Sequence, residues 1–231
     1  SHNPLRLALI SDLHLGLIHR ECTSRAVIEQ LEALRPDVLL ITGDFVDSRL
    51  DHVAGLARMW AEYRPPLGKF AVVGNHEIYP GLPGSLAFLQ ESGFRVLRNE
   101  GLEVEPGLTV VGVDDEHLLA RDFDRSSIFD ALEQRDFTVL LQHRPTVDPS
   151  TRGRVDLQVS GHAHMGQIFP FSLLTGLAYP LQCGLHRLDD GLVLYTSRGT
   201  GTWGPPLRVL APPEIALFEI TAENEPLASA D

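Results

Sequence analysis

The chain has 231 residues, a formal charge of −12, 43% hydrophobic and 22% charged residues, and two cysteines, Cys22 and Cys183. That length buries a sizeable core without disulfides, and two cysteines build neither a disulfide framework nor a zinc finger. The acidic balance argues against broad electrostatic binding to nucleic acid, while leaving room for a local basic groove.

Ser1, His2 and Asn3 resemble the remnant of a cleaved affinity tag. Leu5–Ile10 reads as a strand, too short for a signal peptide or membrane span. Cys22–Leu34 has helical spacing through Ala26, Ile28, Leu31 and Leu34. Val38–Ile41 reads as a buried strand, and Val53–Tyr63 as a helix ended by Pro65-Pro66. Phe70–Val73 reads as a strand, and Leu86–Glu91 sits in a further helix. The second half reads as mostly strands: Leu108–Val113, Val139–Gln142, Leu157–Ser160, Leu192–Thr196 and Ile215–Ile220. Ser126–Leu132 is its clearest helix. Strands alternating with helices imply βαβ units and a largely parallel sheet. The expectation is one α/β domain over 4–222, with a second sheet from the C-terminal half and a flexible tail over 223–231. No run approaches about 18 apolar residues. The chain as given is therefore expected to be cytoplasmic or peripheral to a membrane.

Ten histidines are unusual in this composition, and several sit where strands end. Asp12 and His14 follow the first strand, Asp44 the second and Asn75 the third. His143 follows Val139–Gln142, and His162 and His164 follow Leu157–Ser160. Open α/β sheets build their sites outside the carboxyl ends of strands. Asp12/His14 and His162/His164 are i, i+2 pairs, which share a side in extended chain. Carboxylates, an amide and imidazoles suit divalent first-row metals such as Mn, Fe, Zn, Co or Ni. Seven ligands exceed one tetrahedral ion but fit two ions with a bridging carboxylate, an arrangement that can activate water and clamp a displacement at phosphorus.

Asp12-Leu13-His14, Gly43-Asp44, Gly74-Asn75-His76-Glu77, His143 and Gly161-His162-Ala163-His164 together resemble the five-block signature of calcineurin-like metallophosphoesterases. The resemblance implies a four-layer α/β/β/α sandwich of two mixed sheets flanked by helices. It also implies that Asp12, His14 and His164 bind a first divalent metal ion, that Asn75, His143 and His162 bind a second, and that Asp44 bridges them. A metal-bridging hydroxide would attack phosphorus. His76 would be catalytic, stabilising the transition state or protonating the leaving oxygen, and Glu77 would orient His76. Asn75, His76 and Arg198 are candidates for substrate contact. The stretches Gly161–Ile168, Ser197–Gly201 and Pro212–Ile215 are similar to bacterial membrane-associated phosphodiesterases, many of which carry an N-terminal anchor. The implied activity is a phosphodiesterase, phosphatase or pyrophosphatase. A serine/threonine-type protein phosphatase, a nuclease and a non-catalytic metal-binding scaffold are the rival readings.

Asp47 reads as a helix or turn cap rather than a ligand. Arg144 is read either as a phosphate contact or as part of a turn before Pro145. Arg198 is read either on a phosphate or on a carboxylate of the fold. Asp114, Asp115, Glu116 and His117 read as a polar cluster that holds a loop. His19, His52 and His186 read as surface residues, and the two cysteines as inert packing residues. Ile168–Leu181 is rich in large apolar residues, with Pro170, Gly176 and Pro180 expected to interrupt any regular element. It reads as a loop on the core, a dimer contact, or an apolar lip touching lipid. A small-molecule or lipid-linked phosphoester substrate fits this lip and the acidic charge better than a nucleic acid.

Overall fold

The first strand, β1 (Leu5–Ile10), shows why two sheets stack. Leu7 and Leu9 face one way and Ala8 and Ile10 the other, and all four are fully buried. A strand covered on both faces needs apolar residues throughout rather than alternation. The computed structural model describes residues 4–47, 53, 55–130, 132, 136–189 and 191–221.

β1 pairs in parallel with β2 (Val38–Ile41), Leu7 opposite Val38. β3 (Lys69–Ala71) and the short β4 (Arg95–Val96) continue the parallel sheet. On the other side β11 (Ala216–Ile220) closes it antiparallel to β1. The second sheet begins with β5 (Glu100–Glu105), antiparallel to β6 (Leu108–Val113). β7 (Phe137–Gln142) and β8 (Leu157–Ser160) extend it in parallel. Then come β10 (Val193–Thr196), parallel to β8, and β9 (Gly184–Arg187), antiparallel to β10. Both sheets are thus mixed, as the family resemblance implies.

Three layers of apolar contact hold the sandwich. Leu7, Leu9, Val38, Leu40, Phe70 and Val72 meet Val110, Val139, Leu141 and Val159 between the sheets. The opposite faces of β1 and β2, with Ala8, Ile10, Leu39 and Ile41, pack under α1 (Glu21–Leu34), α2 (Leu56–Glu62) and α3 (Leu82–Glu91), around Leu31, Trp60 and Phe88. On the far side Val111, Val113 and Leu140 cover Ile128 and Phe129 of α4 (Ser126–Asp130). Period-two alternation thus sorts one strand's side chains between two cores.

Several boundaries differ from the sequence reading. In α1 the buried stripe is Ser24, Val27 and Leu31, and Ala26 is exposed. The polar Ser24 belongs inside because its hydroxyl accepts the Trp60 indole N–H at 3.1 Å. Residues 54 and 131, within two expected helices, lie outside the described residues, as do His52, the expected tag remnant 1–3 and the tail 223–231. β4, β5 and β9 were not anticipated. The larger correction concerns Ile168–Leu181. It contains a helix, α5 (Phe171–Ala178), preceded directly by Pro170. The prolines bracket the helix instead of breaking it, since a proline just before the first turn removes no needed donor.

Candidate metal centre

The seven sequence-predicted ligands converge at the carboxyl ends of β1, β2, β3, β7 and β8. Five of them, Asp12, His14, Asp44, His162 and His164, have positive φ, between 48° and 67°. Such a backbone is uncommon away from glycine, and it folds short loops sharply so that alternate side chains aim inward. Two glycines allow the loops to close on one another. A Cβ on Gly74 would overlap the Asp44 carboxylate, and one on Gly161 would overlap Ser11 and Asp12. Only glycine admits so close a backbone approach.

The donor atoms form two sets. In the first, His164 Nε2 lies 3.1 Å from His14 Nε2 and 3.4 Å from Asp12 Oδ1. In the second, His143 Nε2 lies 3.1 Å from both Asn75 Oδ1 and His162 Nδ1. Asp44 Oδ2 stands between the sets, 3.8 Å from His14 Nε2 and 3.3 Å from His143 Nε2. Ligands bonded at about 2.1 Å to one ion stand roughly 3.0–3.4 Å apart. The spacings within each set, and that of Asp44 to His143, fall in this range, while Asp44 stands somewhat farther from His14. Hydrogen bonds behind the donors fix their orientation. The His143 Nδ1–H donates to Thr42 O at 2.7 Å, which turns Nε2 to the cluster. The His162 N–H donates to Asp12 at 3.0 Å, and the His76 N–H to Asp44 Oδ1 at 2.9 Å.

The electrostatics fit cation binding. Burial disfavours the Asp44 carboxylate, but His143, His14 and His76 outweigh it and hold its pKa well below the usual range. Burial also opposes the His143 imidazolium, yet Asp44, by charge and hydrogen bond, lifts it to about 10. Burial, with His143 as a further cause, lowers His162 to about 4; His164 falls to about 4 chiefly through burial. Neutral imidazoles are the form that ligates metal.

The calcineurin-like phosphoesterase family pattern matches residues 5–166, a span that includes all seven residues and His76. The chain belongs to the calcineurin-like phosphoesterase family. An uncharacterised metallophosphoesterase of Aquifex aeolicus is 40% identical over 226 residues, covering 95% of this chain and 86% of that protein. A metallophosphoesterase of Helicobacter pylori J99 is 35% identical, but this chain spans only 61% of its length. A zebrafish transmembrane protein with a metallophosphoesterase domain is 31% identical, with 93% of this chain and 53% of that protein covered. Among solved structures, a dimetal phosphatase from Danio rerio shares the fold, with TM-score 0.59, 13% identity and coverage of 94% and 93%. The chain is thus a metallophosphoesterase, a hydrolase of phosphoric esters.

Around the metallophosphoesterase core, other residues revise the sequence reading. Asp47 is not a cap. Its carboxylate contacts His76 Nδ1 and lies 3.5 Å from His14 Nδ1. Burial opposes the Asp47 charge, but hydrogen bonds from His14 and His76 keep its pKa well below normal. In turn His76, which burial would make less basic, is made more basic by Asp47 and Asp44. Glu77 does not orient the His76 ring. Its buried carboxylate accepts the N–H groups of Asp44, Phe45, Val46 and Gly74 at 2.7–3.1 Å. Burial and Asp44 push Glu77 up to about 7, while the backbone N–H groups of Val46 and Gly74 pull it down. Four donors on two oxygens are met in full by the ionised form.

Arg198 takes the fold-side role of its two readings, paired through Nε with Glu214 at 2.7 Å. Arg144 sits beside the cluster, with Nη1 3.1 Å from His162 Nε2. His19 is tied to the site's rim, with Nε2 2.7 Å from the Thr202 hydroxyl. Cys22 is exposed rather than packed in the core. Edge-on against the His76 ring stand Tyr79, at 5.0 Å between centroids, and Trp203, at 6.4 Å. Gln167 holds Trp203 in place by accepting its N–H and donating to its carbonyl.

Proposed function

We propose that this chain is a binuclear phosphoesterase in which Asp12, His14 and His164 hold one divalent ion and Asn75, His143 and His162 hold the other. The observation that carries the reading is the position of Asp44 Oδ2 between the two imidazole sets. Bound there, two ions supply Lewis acidity to phosphoryl oxygens and lower the pKa of coordinated water. The residue set is met by Mn, Fe, Zn, Co or Ni.

The remaining chemistry belongs to the chain. Asn75 and His76 face the phosphoryl group. His76, made more basic by its carboxylate neighbours, is the group that gives a proton to the leaving oxygen. Asp47 holds His76 at Nδ1 and keeps Nε2 directed to that oxygen. Glu77 fixes the loop that carries Asp44.

The surface beside the site supports a lipid-linked phosphodiester or pyrophosphate as substrate, with peripheral membrane contact. Phe171, Leu173, Leu174 and Leu177 of α5 are all exposed, Leu177 to 81%, and α5 buries no residue. Phe169 N–H donates to Val209 O, which joins this helix to exposed Leu207 and Leu210 in one apolar rim. Exposed patches of this kind mark lipid or partner contact. Among the described residues no helix is long and apolar enough to cross a membrane.

Hydrolysis of bis-p-nitrophenyl phosphate and p-nitrophenyl phosphate by metal-stripped protein, with single metals restored, tests the activity. Metal-dependent turnover favouring the diester is expected. A preference for the monoester would turn the reading to a phosphatase, and no turnover with two bound ions would favour a scaffold.

A further inference from the structure

Arg144 is absent from the ligand set, yet it occupies the wall next to His162 with its side chain 13% exposed. Two carboxylates approach it, Asp115 at 2.9 Å and Glu116 at 3.3 Å, and both meet Nε. The terminal nitrogens point elsewhere. Nη1 donates to the Tyr179 hydroxyl at 2.8 Å and faces His162 Nε2 at 3.1 Å, and Nη2 faces His117 Nδ1 at 3.3 Å. The Tyr179 ring also packs edge-on against His162, 5.3 Å between centroids.

The hydrogen inventory of this corner points to a ligand. His162 turns Nδ1 to the second donor set. An imidazole that ligates through Nδ1 carries its proton on Nε2, so that nitrogen becomes a donor. Arg144 Nη1 is also a donor, and guanidinium has no other state. With the metal site filled, two N–H groups face one another at 3.1 Å and neither can accept from the other, so the pair calls for an outside acceptor. Arg208 offers a contrast. It faces His164 Nδ1 as Arg144 faces His162, but its fork is taken by the carbonyls of Arg198, Gly201 and Ala211. Arg208 is a fold residue, whereas Arg144 is held from behind and left with donors toward the metals.

We infer that the Arg144 fork, the outward edge of His162 and the Tyr179 hydroxyl form a phosphate-oxygen subsite beside the second metal position, which binds and orients the substrate. This inference rests on the binuclear reading above. The oxygen comes either from the reacting phosphoryl group or from a neighbouring phosphate of a pyrophosphate, and both use the same charge-assisted contacts.

The test is calorimetric titration of metal-loaded protein with inorganic phosphate and with pyrophosphate. Wild type, Arg144→Ala, Arg144→Lys and Tyr179→Phe are compared, with metal content and thermal stability measured on each. Arg144→Ala is expected to weaken phosphate binding by about tenfold or more with both ions retained, as fits loss of a charged hydrogen-bond donor. Arg144→Lys, which keeps the charge but not the fork, is expected to recover part of it, and Tyr179→Phe to lose less. A larger loss for pyrophosphate places the second phosphate there, and equal losses place the reacting phosphoryl group there. Phosphate affinity within twofold of wild type in Arg144→Ala, with two ions bound, overturns the subsite. So does loss of the ions themselves in Arg144→Ala and Arg144→Lys alike, which would make Arg144 a support for His162 only. Wild type that binds no metal would instead defeat the binuclear reading.

Discussion

The Asp44 N–H donates to the Glu77 carboxylate at 2.9 Å, and the same carboxylate takes the N–H groups of Phe45, Val46 and Gly74. One buried side chain thus ties the loop after β2 to the loop after β3 and sets the bridging carboxylate in place. Glu77→Gln puts an amide NH2 against backbone N–H donors and leaves two of them unmet. Each orphaned buried donor costs about 1–3 kcal/mol. The expected result is a clear drop in melting temperature with reduced occupancy of both metal positions. Melting curves and metal content check it, and an unchanged melt contradicts it.

Asp47 and His76 act as a unit. His76→Ala is expected to lower kcat by about 10²–10⁴ on diesters with poor leaving groups, with both ions retained. The effect should shrink on p-nitrophenyl esters, whose leaving group needs no proton. Asp47→Asn removes a cause of the raised His76 pKa. The protonated acid is then lost at lower pH, so the alkaline limb of the pH–kcat profile moves down. An unmoved limb would separate His76 from this role.

Metal binding carries a pH dependence of known sign. In the metal-free protein His143 is raised to about 10 by Asp44, while burial keeps His162 and His164 near 4. Near pH 7 an ion must displace the His143 proton but none from the other two. Affinity for the second position therefore rises about tenfold per pH unit in that range. Calorimetry in buffers of different ionisation enthalpy should count close to one proton released from His143. Release of none contradicts the His143–Asp44 pairing.

The apolar rim offers a test that leaves the fold alone. Leu177 is 81% exposed, so Leu177→Asp is expected to change stability by no more than about 0.5 kcal/mol. Binding to phospholipid vesicles and turnover of lipid-linked substrates should fall, while turnover of bis-p-nitrophenyl phosphate should not. Equal vesicle binding by wild type and variant would remove the lipid reading of this surface.

The clustering of the candidate ligands was legible because each member follows an apolar strand, and the strand end delivers its neighbour to one edge of the sandwich. Residues whose partners come from distant loops were not. Asp47 looks like any turn aspartate until the loop after Asp44 folds back and sets its carboxylate on His76. Sequence adjacency points Glu77 at His76, whereas three of its four partners lie 31–33 residues upstream. The sequence leaves Arg144 between two roles, because only the placement of Tyr179 and Asp115 shows which of its nitrogens face the site. α5 was missed because its bracketing prolines looked like breaks. β4, with two residues, and the half-exposed β5 and β9 carry too little apolar pattern to stand out.

The most direct test of the binuclear account is the metal content of wild type and Asp44→Ala, measured on folded protein after loading with Mn or Zn and removal of free ion. The account predicts two ions per wild-type chain and loss of both in Asp44→Ala, with one ion kept when Asn75 alone is replaced. A single ion in wild type, or two ions kept in Asp44→Ala, would contradict it.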